Sequence, residues 1–148
     1  MRLTKIFSAV IILFAVARCS SVVLQPADFS WPVEDVLKAD DKGLVEEQRY
    51  TFSVNVKPLF FEEFADSNLA AGKEIRIIRD KLGYYYITGS NFKNVYLFLP
   101  TEGGLKLEEK INLSATGLTS PVMNQKSPNI EILDGTNKYL LNNKGLVR

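Results

Sequence analysis

Hydrophobic and polar residues alternate along most of the chain after Val33. In the clearest stretch, residues 50–56, the apolar side chains all fall on one face: Tyr50, Phe52, Val54 and Val56. Successive side chains of a β-strand point to opposite faces, so a period of two predicts strands with one buried face. We therefore expect a fold built mainly from half-buried antiparallel strands.

Turn sequences divide these strands into hairpins, because aspartate readily begins a turn and glycine tolerates a positive φ. We predict four hairpins, which pair 33–39 with 50–56, 74–79 with 84–88, 95–99 with 105–113, and 130–133 with 138–141. A last short strand is predicted at 145–148. Hairpins at this spacing predict an all-β fold: a single antiparallel β-sandwich, or a small barrel, of about eight strands over residues 33–148.

Residues 58–71 break the alternation. Pro58 suits the first turn of a helix, and Phe60 and Phe64 share one helical face. We expect a short helix or helical loop that ends at Gly72, with the phenylalanines in the core and Glu62 and Glu63 in solvent.

The amino terminus carries a different pattern. Arg2 and Lys5 precede an apolar run at 6–17, which is followed by Cys19, the only cysteine. A helix of twelve residues is roughly 18 Å long, too short for a hydrocarbon core of ~30 Å. The segment is therefore predicted to be an export signal.

The end of this signal, Val16-Ala17-Arg18-Cys19, resembles the lipobox of bacterial lipoproteins. The resemblance implies cleavage before Cys19 and attachment of a diacylglyceride to its sulfur, so that 1–18 is a signal peptide and 19–32 a lipid-anchored tether. A lone cysteine fits this prediction, because exported proteins normally use cysteines in disulfide pairs. Arg18 departs from the small residue that the family favours there.

Two further features bear on localisation. Ser20 stands where an aspartate retains many lipoproteins in the inner membrane, so the resemblance implies the outer membrane rather than the inner. Ala15-Val16-Ala17 is also an A-x-A site, and cleavage after Ala17 would release a soluble secreted protein. Within the tether, we expect Trp31 to cover the core rather than to bind a ligand, and Phe29 to dock beside it.

Charge argues against a nucleic-acid partner. Without residues 1–18 the chain has 15 basic and 17 acidic residues, for a formal charge of −2, and both signs are interspersed. A protein that binds a polyphosphate backbone needs a basic face.

The sequence also restricts catalysis. It contains no histidine, which excludes the serine-histidine-aspartate and cysteine-histidine sites and histidine-ligated zinc. Ser90 and Lys93 match S-x-x-K but lie in a predicted turn, and residues 40–43 lack the ligand spacing of an EF-hand. We therefore expect that the protein is not an enzyme and binds neither a cofactor nor a metal. A hydrolase that uses carboxylates is kept only as a remote alternative.

Binding remains. Six residues form the candidate ligand site, in which exposed rings would stack on sugars as in carbohydrate-binding modules: Tyr84, Tyr86, Phe92, Tyr96, Arg79 and Asn91. The competing interpretation is that these rings cover the core while their hydroxyls reach polar surroundings. We expect a non-catalytic envelope lipoprotein that binds a protein partner, with carbohydrate or peptidoglycan binding through the tyrosine row as the alternative.

Overall fold

The computed structural model describes residues 31–49 and 52–147. The predicted signal, Cys19, Phe29 and the tether up to residue 30 lie outside these residues. Trp31, where the description begins, is 3% exposed, which confirms its predicted place in the core. No helix in the described ranges is long and apolar enough to cross a bilayer.

The fold is all-β, and the described residues form antiparallel sheets with one short α-helix. The described residues form eleven strands, more than the eight or so predicted: β1 (Asp35–Lys38), β2 (Leu44–Glu47), β3 (Phe52–Asn55), β4 (Glu74–Arg79), β5 (Tyr85–Gly89), β6 (Asn94–Thr101), β7 (Gly104–Asn112), β8 (Val122–Lys126), β9 (Asn129–Asp134), β10 (Asn137–Asn142) and β11 (Gly145–Leu146). The α-helix is α1 (Lys57–Phe64), and a 3₁₀ turn follows it at Ser67–Ala70.

The strands make three sheets. A five-stranded sheet has the order β1-β4-β5-β6-β7, a four-stranded sheet has the order β11-β10-β9-β8, and β2 and β3 form a separate pair. Every ladder is antiparallel. The hairpins β4–β5, β6–β7 and β9–β10 and the short strand β11 confirm the sequence-based prediction.

The first predicted hairpin is wrong. The segment 33–39 does not pair with 50–56; β1 pairs with β4, and β3 pairs with β2. The intervening residues 44–47 alternate in burial themselves and place Val45, 2% exposed, opposite Val54. A strand this close in sequence closes a shorter loop onto β3 than β1 would. The sequence analysis also missed β8.

The predicted helical segment is divided in two. The α-helix ends at Phe64, where Ala65 takes a left-handed conformation with φ of 56° and donates its N–H to the carbonyl of Phe61. Gly72, with φ of 70°, therefore follows the 3₁₀ turn rather than ending the α-helix. The side chain of Asp66 begins that turn by accepting a hydrogen bond from the N–H of Asn68 at 2.9 Å.

Glu34 joins two of the sheets. Its carboxylate pairs with Arg76 on β4 and accepts a hydrogen bond of 3.0 Å from the N–H of Met123 on β8. Burial raises the pKa of Glu34, against the opposing effects of the Met123 amide and of Arg76. The contact ties the five-stranded sheet to the four-stranded sheet around one cluster of buried side chains.

Candidate functional site

The predicted exposed tyrosine row does not form. Tyr86, Phe92 and Tyr96 are all 0% exposed, so these rings belong to the core, as the competing interpretation held. Tyr84 is half-buried. For Phe92 and Tyr96 the reason is tertiary: Phe60 and Phe64 of α1 pack edge-on against Phe92 with ring centroids 5.1 and 5.7 Å away, and Glu63 of α1 binds the hydroxyl of Tyr96.

The two buried tyrosine hydroxyls each reach a carboxylate. Tyr86 donates to Oδ2 of Asp80 at 3.1 Å, and Tyr96 donates to Oε1 of Glu63 at 2.8 Å. Burial is the main cause that raises the pKa of both phenols, and these carboxylates raise it further. Both hydroxyls therefore stay protonated and act as structural donors.

Glu63 is not the solvated acid that the sequence suggested. Besides Tyr96, its carboxylate accepts hydrogen bonds from the N–H of Lys93 at 2.8 Å and from Nδ2 of Asn94 at 2.7 Å. It thus fastens α1 to the start of β6. The sequence gives no local signal for this role of Glu63, because the three donors lie thirty or more residues away along the chain.

Arg79 and Asn91 lie in different places. The guanidinium of Arg79 stands over the ring of Tyr85, 5.3 Å from its centroid. Asn91, exposed and with φ of 67°, lies in the β5–β6 turn. The six predicted residues therefore do not come together as one site.

Asn91 instead lines a recess beside α1, which we call the helix cleft. It has a volume of about 440 Å³, and its lining combines aromatic, apolar and cationic side chains with polar turn residues: Lys38, Phe60, Phe64, Leu69, Gly72, Lys73, Glu74, Ser90 and Asn91. Ser90 of the S-x-x-K match is in this lining, whereas the backbone N–H of Lys93 binds Glu63. The sequence analysis identified Ser90 and Asn91 but missed the lysines, which come from distant segments.

A second recess, the β3 groove, runs between β3 and the end of the β6–β7 hairpin. Its volume is about 450 Å³. All four residues of β3 line it, with Tyr85 and the hairpin end: Phe52, Ser53, Val54, Asn55, Tyr85, Pro100, Thr101, Glu102, Gly103, Gly104 and Leu105. The rings of Phe52 and Tyr85 meet edge-on, 5.6 Å apart.

A smaller recess of about 260 Å³ continues along β3. It shares Phe52 and Ser53 with the β3 groove and adds Glu46, Glu47 and Gln48. The two recesses together follow β3 over its whole length. The polar face of this strand was visible in the sequence, but nothing local indicated that it would border a groove.

In the ranges that the structure describes, no group of three or more aspartate, glutamate, histidine or cysteine residues is placed so that it could hold a metal ion. Comparison with known proteins gives no relative from which to transfer a role. The chain matches no family model, and no curated protein and no solved structure is significantly similar to it.

Proposed function

We propose that this protein is a non-catalytic lipoprotein of the bacterial envelope, whose β-rich domain binds another envelope protein. The lipobox-like segment and the lone Cys19 support the anchor, and Ser20 favours the outer membrane. Cleavage after Ala17, which would yield a secreted protein, is the competing route. The sandwich arrangement of the sheets is likewise a proposal.

The observation that carries the binding function is the β3 groove. Residues of a strand and of a hairpin end line this recess, and the lining includes two aromatic residues whose rings are in contact, Phe52 and Tyr85. Protein interfaces combine such apolar centres with polar surroundings. Ser53, Asn55, Thr101 and Glu102 supply the polar part here.

The anchor is tested by fractionating cells that express Cys19→Ala and Ser20→Asp variants. We expect Cys19→Ala to leave the membrane fraction, and Ser20→Asp to remain in membranes but to move from the outer to the inner membrane. If Cys19→Ala fractionates as the wild type does, the lipoprotein proposal fails.

The binding function is tested by site-specific photocrosslinking in cells. A photoreactive amino acid at Ser53 or Thr101, both in the β3 groove, should trap the same single envelope protein. The matched control is Thr136, an exposed residue in the β9–β10 turn. Equal yields at Thr136 and at the groove positions, or no adduct at either groove position, would remove this surface as the docking site.

A second candidate function is peptidoglycan binding, and the helix cleft favours it. Lys38 and Lys73 could pair with the carboxylates of peptidoglycan peptides, while Ser90 and Asn91 could bind sugar hydroxyls. Binding to purified sacculi should fall in Lys38→Glu and Lys73→Glu. It should not change in Lys144→Glu, which alters an exposed lysine outside the cleft. Wild-type protein that does not sediment with sacculi would exclude this function.

A further inference from the structure

The two edges of β3 are not equivalent. In an antiparallel ladder, residues alternate between those whose N–H and C=O both point to the partner strand and those whose groups both point away. The N–H of Val56 donates to the carbonyl of Gly43 at 2.9 Å, which continues the register of Leu44 with Asn55 by one residue. Val56 therefore points toward β2, as Val54 and Phe52 must.

The main-chain groups of Ser53 and Asn55 consequently point away from β2. The opposite strand provides a check: Leu44, the partner of Asn55, should point away from β3. Its carbonyl accepts from the N–H of Asp40 at 2.9 Å, and its N–H donates to Oδ1 of Asp40 at 2.8 Å, both outside the ladder. The alternation therefore holds across the pair.

We call this side of β3, with the N–H and C=O of Ser53 and Asn55, its open edge. Within residues 31–49 and 52–147, β3 pairs with β2 alone. Ser53 and Asn55, which carry the open edge, both line the β3 groove, as do the other two residues of β3. An unpaired edge beside a groove is the geometry that accepts an added strand.

The charged residues that line the recesses on this side of β3 carry one sign. The charged residues that line the two recesses along β3 are all glutamates: Glu46, Glu47 and Glu102. Arg49 pairs with the buried Glu47 at 3.1 Å, whereas Glu46 and Glu102 are exposed. An incoming segment that carries lysine or arginine would find complementary charge, and an acidic segment would be repelled.

We propose that an extended, lysine- or arginine-bearing segment of the partner protein adds as a strand to the open edge of β3 and hydrogen-bonds with Ser53 and Asn55. This rests on the proposed function and specifies how its partner binds. Main-chain hydrogen bonds would supply affinity, and the glutamates would select the segment.

The test removes the outward N–H of Ser53 without touching the β2–β3 ladder. Ser53→Pro does this, because proline has no N–H and is tolerated where a strand's N–H faces away from its neighbour. Ser53→Ala is the matched control, which loses the same side chain and keeps the N–H. Linear peptides are selected from a phage-displayed library against the full mature lipoprotein in detergent, and their affinities are measured by fluorescence anisotropy.

We expect selected peptides to be enriched in lysine and arginine. We expect Ser53→Ala to bind them within about threefold of the wild type, and Ser53→Pro to bind at least about tenfold more weakly, the equivalent of one lost hydrogen bond. Equal affinity of a folded Ser53→Pro, or selection of acidic peptides, would overturn the proposal. Wild-type dimers that Ser53→Pro converts to monomers would also overturn it, since the edge would then belong to a second copy.

Amide hydrogen exchange on the wild type serves if Ser53→Pro does not fold. Bound peptide should slow exchange at Ser53 and Asn55, and unchanged exchange at both would overturn the proposal. The two proposals fail separately. If a partner is crosslinked at Ser53 in cells but bound peptide does not slow amide exchange at Ser53 and Asn55, the proposed function stands and strand addition is wrong. If no partner is crosslinked, the docking function itself is wrong.

Discussion

Asp40 and Asp80 hold two turns with the same hydrogen-bonding pattern. Oδ1 of Asp40 accepts hydrogen bonds from the N–H groups of Lys42 and Leu44, each at 2.8 Å. In the same way, Oδ1 of Asp80 accepts hydrogen bonds from the N–H groups of Leu82 and Tyr84, each at 2.9 Å. In both turns the aspartate carbonyl accepts from a glycine with positive φ, Gly43 or Gly83. The two turns differ in burial, since Asp40 is exposed and Asp80 is 5% exposed.

The difference in burial predicts that alanine lowers the free energy of unfolding by unequal amounts at Asp80 and Asp40. Asp80→Ala also leaves the buried hydroxyl of Tyr86 without its acceptor, so we expect the free energy of unfolding to fall by about 2 to 4 kcal/mol. Asp40→Ala loses turn bonds that water can replace, for about 0.5 to 1 kcal/mol. Urea denaturation of both variants measures the difference, and equal costs would contradict the role given to burial.

Glu62 and Glu63 provide a second matched pair, on α1. Glu63→Ala removes the acceptor of three hydrogen bonds, and we expect it to lower the free energy of unfolding by about 2 to 4 kcal/mol. Glu62→Ala removes an exposed ion pair with Lys110 at 3.0 Å and should cost about 0 to 1 kcal/mol. A thermal or urea unfolding series that ranks Glu62→Ala as the more costly change would refute this account of how α1 is fastened.

Tyr86 and Tyr96 predict instability at high pH. Their folded-state pKa values are raised, mainly by burial and then by Asp80 and Glu63 respectively. Above a pH of about 10 the unfolded chain loses these phenolic protons while the folded chain keeps them, so stability falls as pH rises. Each tyrosine should contribute a slope of about 1.4 kcal/mol per pH unit.

The measurement is urea denaturation at a series of pH values from about 9 upward, the range in which tyrosine ionises. Tyr86→Phe and Tyr96→Phe should each reduce the slope. Absorbance that shows all six tyrosines ionising before the chain unfolds would disprove the prediction.

Arg49 covers the only tryptophan of the chain. Its guanidinium carbon lies 3.9 Å from the ring centroid of Trp31, and the same group pairs with Glu47, which is 1% exposed. Arg49→Ala should shift the fluorescence emission of Trp31 to longer wavelength and cost about 1 to 3 kcal/mol, because Glu47 stays buried without its cation. Arg49→Lys keeps a charge but not the planar stacking, so its shift should be smaller. An unchanged emission maximum in Arg49→Ala would show that the contact does not shield the ring.

Local patterns account for what could be predicted. The β-branched and aromatic residues at 74–79 and 84–88 and the turn chemistry of Asp80 and Gly83 act within a few residues, so the β4–β5 hairpin follows directly from them. The burial of Trp31 was also predictable from the residue alone, because removing a large apolar ring from water is strongly favourable in free energy. The helix cleft and the β3 groove were not predictable, since each is formed by segments far apart in the chain.

The sequence by itself determined the all-β class, the turns, three of the hairpins and the prediction of an exported, lipid-anchored chain. Tertiary structure alone decided that β1 pairs with β4, that α1 covers Phe92 and Tyr96, and that, among residues 31–49 and 52–147, β3 pairs with β2 alone. The physical reason is that a period of two distinguishes the faces of a strand but carries no information about its edges. Which edge is paired, and which ring is covered, depends on what distant segments pack beside it.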